Sequence, residues 1–344
     1  MDALSRERER ERGRLRHIFN NIISVENLLV SWQEFLRGKR KRKDVAEFSL
    51  NFMDNILTLH SDLTSRTYIH GGYEAFKIND PKPRDIHKAS VRDRLLHRAI
   101  YRILYPFFDR KFIADSFSCR LGKGTHKAIN RFRNFSYKVG KNNTKTCWIL
   151  KCDIRKFFAN IDHEILINIL HEHIEDENLI KLLKNIIGSF SSNQKGIGLP
   201  LGNLTSQLFV NIYMNKFDQF AKHKLKVKHY IRYCDDFVIF SESKDYAQKL
   251  IPPVKEFLNK ELKLELHSKK VSIKTISSGV DFLGWVNFPN HRILRTTTKR
   301  KMFRNIKKNG GKAETIQSYL GLIGWGNSYK LKVNMLKKSV LLYN

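Results

Sequence analysis

The amino-acid sequence predicts an α+β fold, and three observations carry that prediction. Apolar residues recur at helical spacing through much of the chain. Two stretches, TCWILKCDI and IRYCDDFVIF, are apolar and β-branched enough to be buried strands, the second turning back on itself. An alternating segment around Asn79-Asp80-Pro81 signals a β-hairpin. The 344 residues suffice for one large fold, or for two to three subdomains on a continuous core. With 41% hydrophobic and 11% aromatic residues the chain can bury that core, which excludes a disordered polymer.

In chain order, SRERERERGRLR reads as helix charged on all sides, and HIFNNIISVENLLVSWQEFL continues it as an amphipathic helix with Ile18, Ile22, Val25 and Leu29 at helical spacing. Gly38 breaks it. The block from Arg37 to Asp44 is read either as a phosphate grip or as a solvated charge run. VAEFSLNFMDNILTLHSDL is the next helix, and the hairpin spans Tyr68 to Ile86. VRDRLLHRAIYRILYPFFDRKF then places Leu95, Ala99, Ile103 and Leu104 on one face, with Pro106 ending or kinking the run. SFSCRLGKGTHKAINRF is a basic, glycine-containing loop entering a helix, and a strand over Thr146–Ile154 has Asp153 as its last polar residue. Asp162 is the expected N-cap of HEILINILHEHI. The loop SSNQKGIGLPLGN leads into the helix LTSQLFVNIYMNKFDQFAKH, and KVKHYIRYCDDFVIFSE is strand, tight turn, strand. A helix over Tyr246–Lys260, a short hairpin to Trp285 and a basic, mostly helical tail from Arg295 complete the chain. There is no internal repeat and no low-complexity linker.

Charge narrows the function classes. The 64 Lys and Arg against 33 Asp and Glu leave a formal +31, beyond what solubility requires. A polyanionic partner accounts for this, and nucleic acid is the commonest; simple adhesion to anionic surfaces is the other reading. Cys119, Cys147, Cys152 and Cys234 show no CxxC spacing, which suits a reducing cytosol. Met1–Arg16 has no apolar leader core, and no run of about 18 apolar residues occurs, so a soluble, cytoplasmic protein that spans no membrane is expected.

The chemistry is concentrated in IRYCDDFVIF. Asp235 and Asp236 sit at a hairpin tip between apolar strands, where two adjacent carboxylates are costly unless a cation neutralises them. Asp153 ends the other strong strand. If those strands are neighbours, three carboxylates converge at one sheet edge and suit hard, oxygen-seeking Mg²⁺. Two metals about 4 Å apart can activate a 3′-hydroxyl and stabilise a leaving pyrophosphate, which is nucleotidyl transfer. His171 and His173, two apart on a predicted helix, face different sides and read as surface residues.

At these residues the sequence resembles the reverse transcriptases. Tyr233-Cys234-Asp235-Asp236 is similar to their YxDD box and KCDIRKFFANIDHEIL to their first catalytic box. DPKPRDIHKASVRDRLLHRAI, SCRLGKGTHKAI, GLPLGNLTSQLFVNIYMN and DFLGW follow the family order over roughly Tyr68 to Tyr329. The resemblance implies a right-hand polymerase with helical fingers, an antiparallel-sheet palm and a short helical thumb: a basic helical extension over 1–66, fingers 67–145, palm 146–290 with a finger-side helical stretch 163–195, and thumb 291–344. It implies RNA-directed DNA synthesis with two Mg²⁺ ions, Mn²⁺ as a substitute, at Asp153, Ile154, Asp235 and Asp236. Phe158 would be the gate that abuts the sugar 2′ position and favours deoxynucleotides; a core ring beside Phe157 is the other reading. Lys77, Lys82 and Arg84 would cradle the triphosphate, with Arg84 the best suited because its fork matches phosphate. Lys156, Phe157, Leu201, Gly202 and Gln207 would complete the dNTP site. Lys270 would protonate the departing pyrophosphate, with Lys269 second, and Phe282, Leu283, Gly284 and Trp285 would be the primer grip.

Two positions depart from the commoner pattern. Retroviral and many intron-encoded enzymes carry Gln where this chain has Leu201 and Pro where it has Gln207. LGNLTSQ instead resembles reverse transcriptases of diversity-generating retroelements, which copy a template RNA into cDNA with errors at template adenines and work with a small basic accessory protein. A bacterial antiviral-defence reverse transcriptase shares most of these boxes, and a catalytically idle nucleic-acid-binding protein is the rival from another class.

Overall fold

A computed structural model describes residues 13–79 and 83–340. Of the charged helix expected over residues 5–16, the first part lies outside the described residues. From residue 13 the chain is not helical: Leu15 instead bridges Ile174, donating its amide to the His173 carbonyl at 2.8 Å.

Several long helical patterns are split by local chemistry. Phe19–Ile23 (α1) and Val25–Leu36 (α2) part at Ser24, whose side chain accepts from the Asn27 amide at 3.2 Å and so caps α2. Lys43–Leu50 (α3) and Phe52–Thr64 (α4) part at Asn51. Tyr73–Asn79 (β1) and Pro83–Ala89 (β2) form the expected hairpin, shifted a few residues along the chain, with Asn79 opposite Pro83. Val91–Asp109 (α5) carries Pro106 inside it, and Thr125–Val139 (α6) follows the glycine loop.

The central sheet is built from Trp148–Asp153 (β3), Tyr230–Tyr233 (β4), Asp236–Ser241 (β5) and Ser272–Thr275 (β6), antiparallel in the order β4-β5-β3-β6. Its side chains alternate between two hydrophobic clusters. Leu150, Cys152, Phe237 and Ile239 join the cluster under the N-terminal helices, α5, His163–His171 (α7), Glu177–Gly188 (α8) and Leu204–Gln219 (α9). Ile149, Val238 and Phe240 face α6 and the C-terminal elements. Burial on both faces is why these strands read as near-continuous apolar runs while side chains still alternate along each strand.

The helix expected over Tyr246–Lys260 is two helices, Lys244–Lys249 (α10) and Ile251–Leu262 (α11), because Pro252 and Pro253 lack the amides a continuous helix needs and fit only a helix start. Val280–Phe282 (β7), Trp285–Asn287 (β8) and Arg292–Leu294 (β9) make a three-stranded sheet, one strand more than the predicted hairpin. Thr296–Lys308 (α12), Ala313–Ile323 (α13) and Tyr329–Val340 (α14) are the expected helical tail. Among the described residues no helix is long and apolar enough to cross a membrane.

Candidate active site

The register of β3 against β5 sets Asp153 directly opposite Asp236, and the β4–β5 turn adds Asp235 beside them. Cys234 makes that turn possible by adopting φ +59°, and the Ile154 amide donates to the Asp235 carbonyl at 3.2 Å, tying the turn to the end of β3. The three aspartates expected to converge therefore do so at one end of the sheet's strands.

Electrostatics there is unbalanced. Burial, with the like charges of Asp235 and Asp153 added, pushes the Asp236 carboxyl up to about 7. Asp235 is also raised, first by burial and then by Asp153, while Lys270 and Arg84 pull it back. Asp236 Oδ1 is buried without a hydrogen-bond partner; the Lys151 charge pulls Asp236 part of the way back, and the Lys270 ammonium sits 2.6 Å from Asp153 Oδ1. Among the described residues no three acidic, histidine or cysteine side chains stand in a ready-made metal cage. An orphaned carboxylate oxygen and adjoining like charges nevertheless fit a hard cation.

Phe157 and Phe158 open a 3₁₀ turn after Lys156, which takes φ +45°. Phe157 is buried in the core, whereas Phe158 is half-buried, its ring edge-on to Phe157 at 5.6 Å. Lys156 lines a cleft of about 460 Å³ with Arg155, Asn160 and Lys263, one that none of the three aspartates lines. Lys77 and Arg84 lie exposed on β1 and β2, and the Arg84 charge reaches Asp235; Lys82 lies outside the described residues. The hairpin is fastened to the loop before α9: the His87 amide donates to the Leu201 carbonyl at 3.0 Å, and Asn203 Nδ2 donates to the His87 carbonyl at 2.8 Å. Gly202 at φ +104° permits this approach, since a Cβ would stand 2.8 Å from Ile86 Cγ2. Gln207 is half-buried in the first turn of α9. Leu283 and Gly284, both at positive φ, form the β7–β8 turn, while Phe282 and Trp285 are core residues.

Sequence reasoning missed Arg232. It is fully buried on β4 and donates to both Asp218 oxygens at 2.7–3.0 Å, to Asn211 Oδ1 and Ser116 Oγ, and to the Cys234 carbonyl at 3.2 Å. Tyr230 donates its hydroxyl to Asp218 as well, at 2.7 Å. The aspartate turn is thus held from below by α9. The signal was present: one arginine in an apolar strand and one aspartate in an apolar helix each need a buried partner. His173 is another correction. It lies beyond the end of α7, its ring packs edge-on to Phe108 at 5.6 Å, and burial lowers it to about 4, so it is not a free surface residue.

Antiparallel sheet, helical surround and an aspartate-bearing turn are the parts of a right-hand polymerase fold. Residues 77–286 match the family described as "Reverse transcriptase (RNA-dependent DNA polymerase)", and the chain belongs to that family. Members of the family use divalent metal ions such as Mg²⁺. Protein YkfC of Escherichia coli (strain K12) is 24% identical over 63% of this chain and 65% of its own length. The group II intron-encoded protein LtrA of Lactococcus lactis subsp. cremoris is 23% identical over 61% of this chain and 45% of its own. A solved telomerase from Candida albicans, in complex with a fragment of telomeric RNA, aligns with TM-score 0.49 at 10% identity, covering 71% of this chain and 51% of that one. The matched region therefore spans about two thirds or less of each of these proteins.

Proposed function

We propose that the chain is an RNA-directed DNA polymerase that copies a template RNA into cDNA from dNTPs. The observation that carries this reading is the Asp153–Asp236 register with Asp235 at the adjoining turn. When bound, two divalent ions held by Asp153, Asp235, Asp236 and the Ile154 carbonyl would supply activation of the primer 3′-hydroxyl and charge neutralisation at the leaving pyrophosphate. Lys77 and Arg84 orient the triphosphate from the hairpin. Phe158 closes the space a 2′-hydroxyl needs. Lys270, 2.6 Å from Asp153 Oδ1, hands a proton to the departing pyrophosphate. Leu283 and Gly284 hold the growing strand, with Phe282 and Trp285 anchoring their turn. In this reading residues 67–145 are fingers, 146–290 palm and 291–344 thumb, and the enzyme works in the cytosol.

LGNLTSQ supports a finer assignment, to the diversity-generating type with a small basic accessory protein. Leu201 contributes its backbone carbonyl to the hairpin, and its side chain cannot offer the templating pair the polar contact that Gln would. Primer extension on a defined RNA with Mg²⁺, followed by sequencing of the cDNA, tests both levels. Asp153→Asn and Asp235→Asn should each abolish synthesis while RNA affinity, set by Lys and Arg contacts to phosphate, stays almost unchanged. More than about a tenth of wild-type extension in both variants would overturn the metal assignment, because losing a ligand should raise the barrier by several kcal/mol. Errors should cluster opposite adenine; an even spread over all four bases would favour the defence type instead.

A further inference from the structure

A cavity of about 150 Å³ opens between α6, the β7-β8-β9 sheet and the turn joining α13 to α14. It lies toward the end of the central sheet remote from the aspartates: Phe132, which lines it, packs against Phe240 of β5 at 4.8 Å. Arg292 of β9 forms one wall. Only 8% of this residue is exposed; Nη2 donates to Asn130 Oδ1 at 2.9 Å, and Nη1 is shut from solvent without a partner. The neighbouring charge is Arg133 of α6, and among the described residues no acidic side chain lines the cavity. Two other deeply buried arginines, Arg232 and Arg120, each have an aspartate, Asp218 and Asp109 respectively. A buried guanidinium left without a counter-charge is costly, and its planar fork matches the oxygens of a phosphate. Ser136, Asn290 and Asn327 add polar groups to the lining, and the stacked rings of Phe288 and His291 stand beside them.

We propose that this cavity is a phosphate-binding site, separate from the polymerase centre, in which Arg292 and Arg133 hold one phosphate group. The phosphate belongs either to a free anion or nucleotide, or to the backbone of a bound strand; the chemistry of recognition is the same. The site would also fasten the tail to the β7-β8-β9 sheet, because its far wall is the α13–α14 turn. The Asn327 amide of that turn already donates to the Arg292 carbonyl at 2.9 Å.

The test is calorimetric titration of the full chain with inorganic phosphate, together with melting curves in phosphate and in chloride at matched ionic strength. Wild type should show saturable phosphate binding and a higher Tm in phosphate. Arg133→Gln, at an exposed position compatible with folding, should weaken phosphate about tenfold, the loss of one charged hydrogen bond. Arg292→Lys should do likewise, and if it does not fold, Arg133→Gln alone decides. Repeating the titration with saturating RNA–DNA duplex separates the sources: abolished phosphate binding means a strand phosphate fills the site, and retained binding means a free anion does. Equal melting in phosphate and chloride, or an Arg133→Gln affinity equal to wild type, would overturn the proposal.

Discussion

Asp218 and Arg232 are fully buried partners, so either one alone is an uncompensated charge in the core. Asp218→Asn should therefore cost about 3–5 kcal/mol of folding stability, whereas replacing both with apolar residues of similar volume should cost much less. Urea denaturation of the single and double variants measures this, and additive losses would show that the pair is not coupled. Because Arg232 also holds the Cys234 carbonyl, Asp218→Asn should lower kcat at temperatures where the protein remains folded. Phe158 offers a second test at this scale. Phe157 fills the core, while Phe158 is half-buried against its edge. Phe158→Ala should lower the dNTP-over-rNTP ratio of incorporation efficiencies, and an unchanged ratio in an active variant would make this ring packing only.

Among the elements, the β1–β2 hairpin depends on one close approach to the loop before α9. Gly202→Ala places a methyl 2.8 Å from Ile86 Cγ2 at φ +104°, and that backbone conformation alone should cost about 1–3 kcal/mol. The displaced hairpin carries Arg84, so KM for dNTP should rise more than kcat falls. Adding Ile86→Ala should relieve the clash but not the backbone cost, so KM should recover further than Tm does. The strands, the hairpin and the Asp162 cap were legible in the sequence because each has a local cause: apolar composition, a turn dipeptide, a side chain that accepts from the Ile165 amide at 3.0 Å. The convergence of the aspartates was legible only conditionally, since pairing of β3 with β5 is a long-range choice. Breaks at Ser24 and Asn51 were not, because the apolar spacing runs across both; at Ser24 the side-chain cap competes with continuation of the helix. Arg232 and Asp218 lie 14 residues apart on different elements, and no periodicity links them.

For the molecule as a whole, pH separates two opposed groups of side chains. Burial holds His97 down to about 3 and His173 to about 4, so below the ordinary 6.5 the unfolded chain binds more protons and stability falls as pH falls. Asp236, raised to about 7, acts in the opposite sense: its contribution is present at acid pH and lost as pH rises through 7. The histidine part is isolated by His97→Gln, which should lose about 2 kcal/mol less stability than wild type between pH 7.5 and 5.0. Urea midpoints at the two pH values give the comparison, and equal losses would mean that His97 titrates normally in the fold. The Arg232–Asp218 pair has a further, historical consequence. Total stabilities of folded proteins are about 5–15 kcal/mol, so a lineage that loses one partner first must pass through an ancestor deprived of a large share of its stability. Descendants should therefore inherit the arginine and the aspartate as a single character, kept together or exchanged together, even where every surface residue around them has diverged.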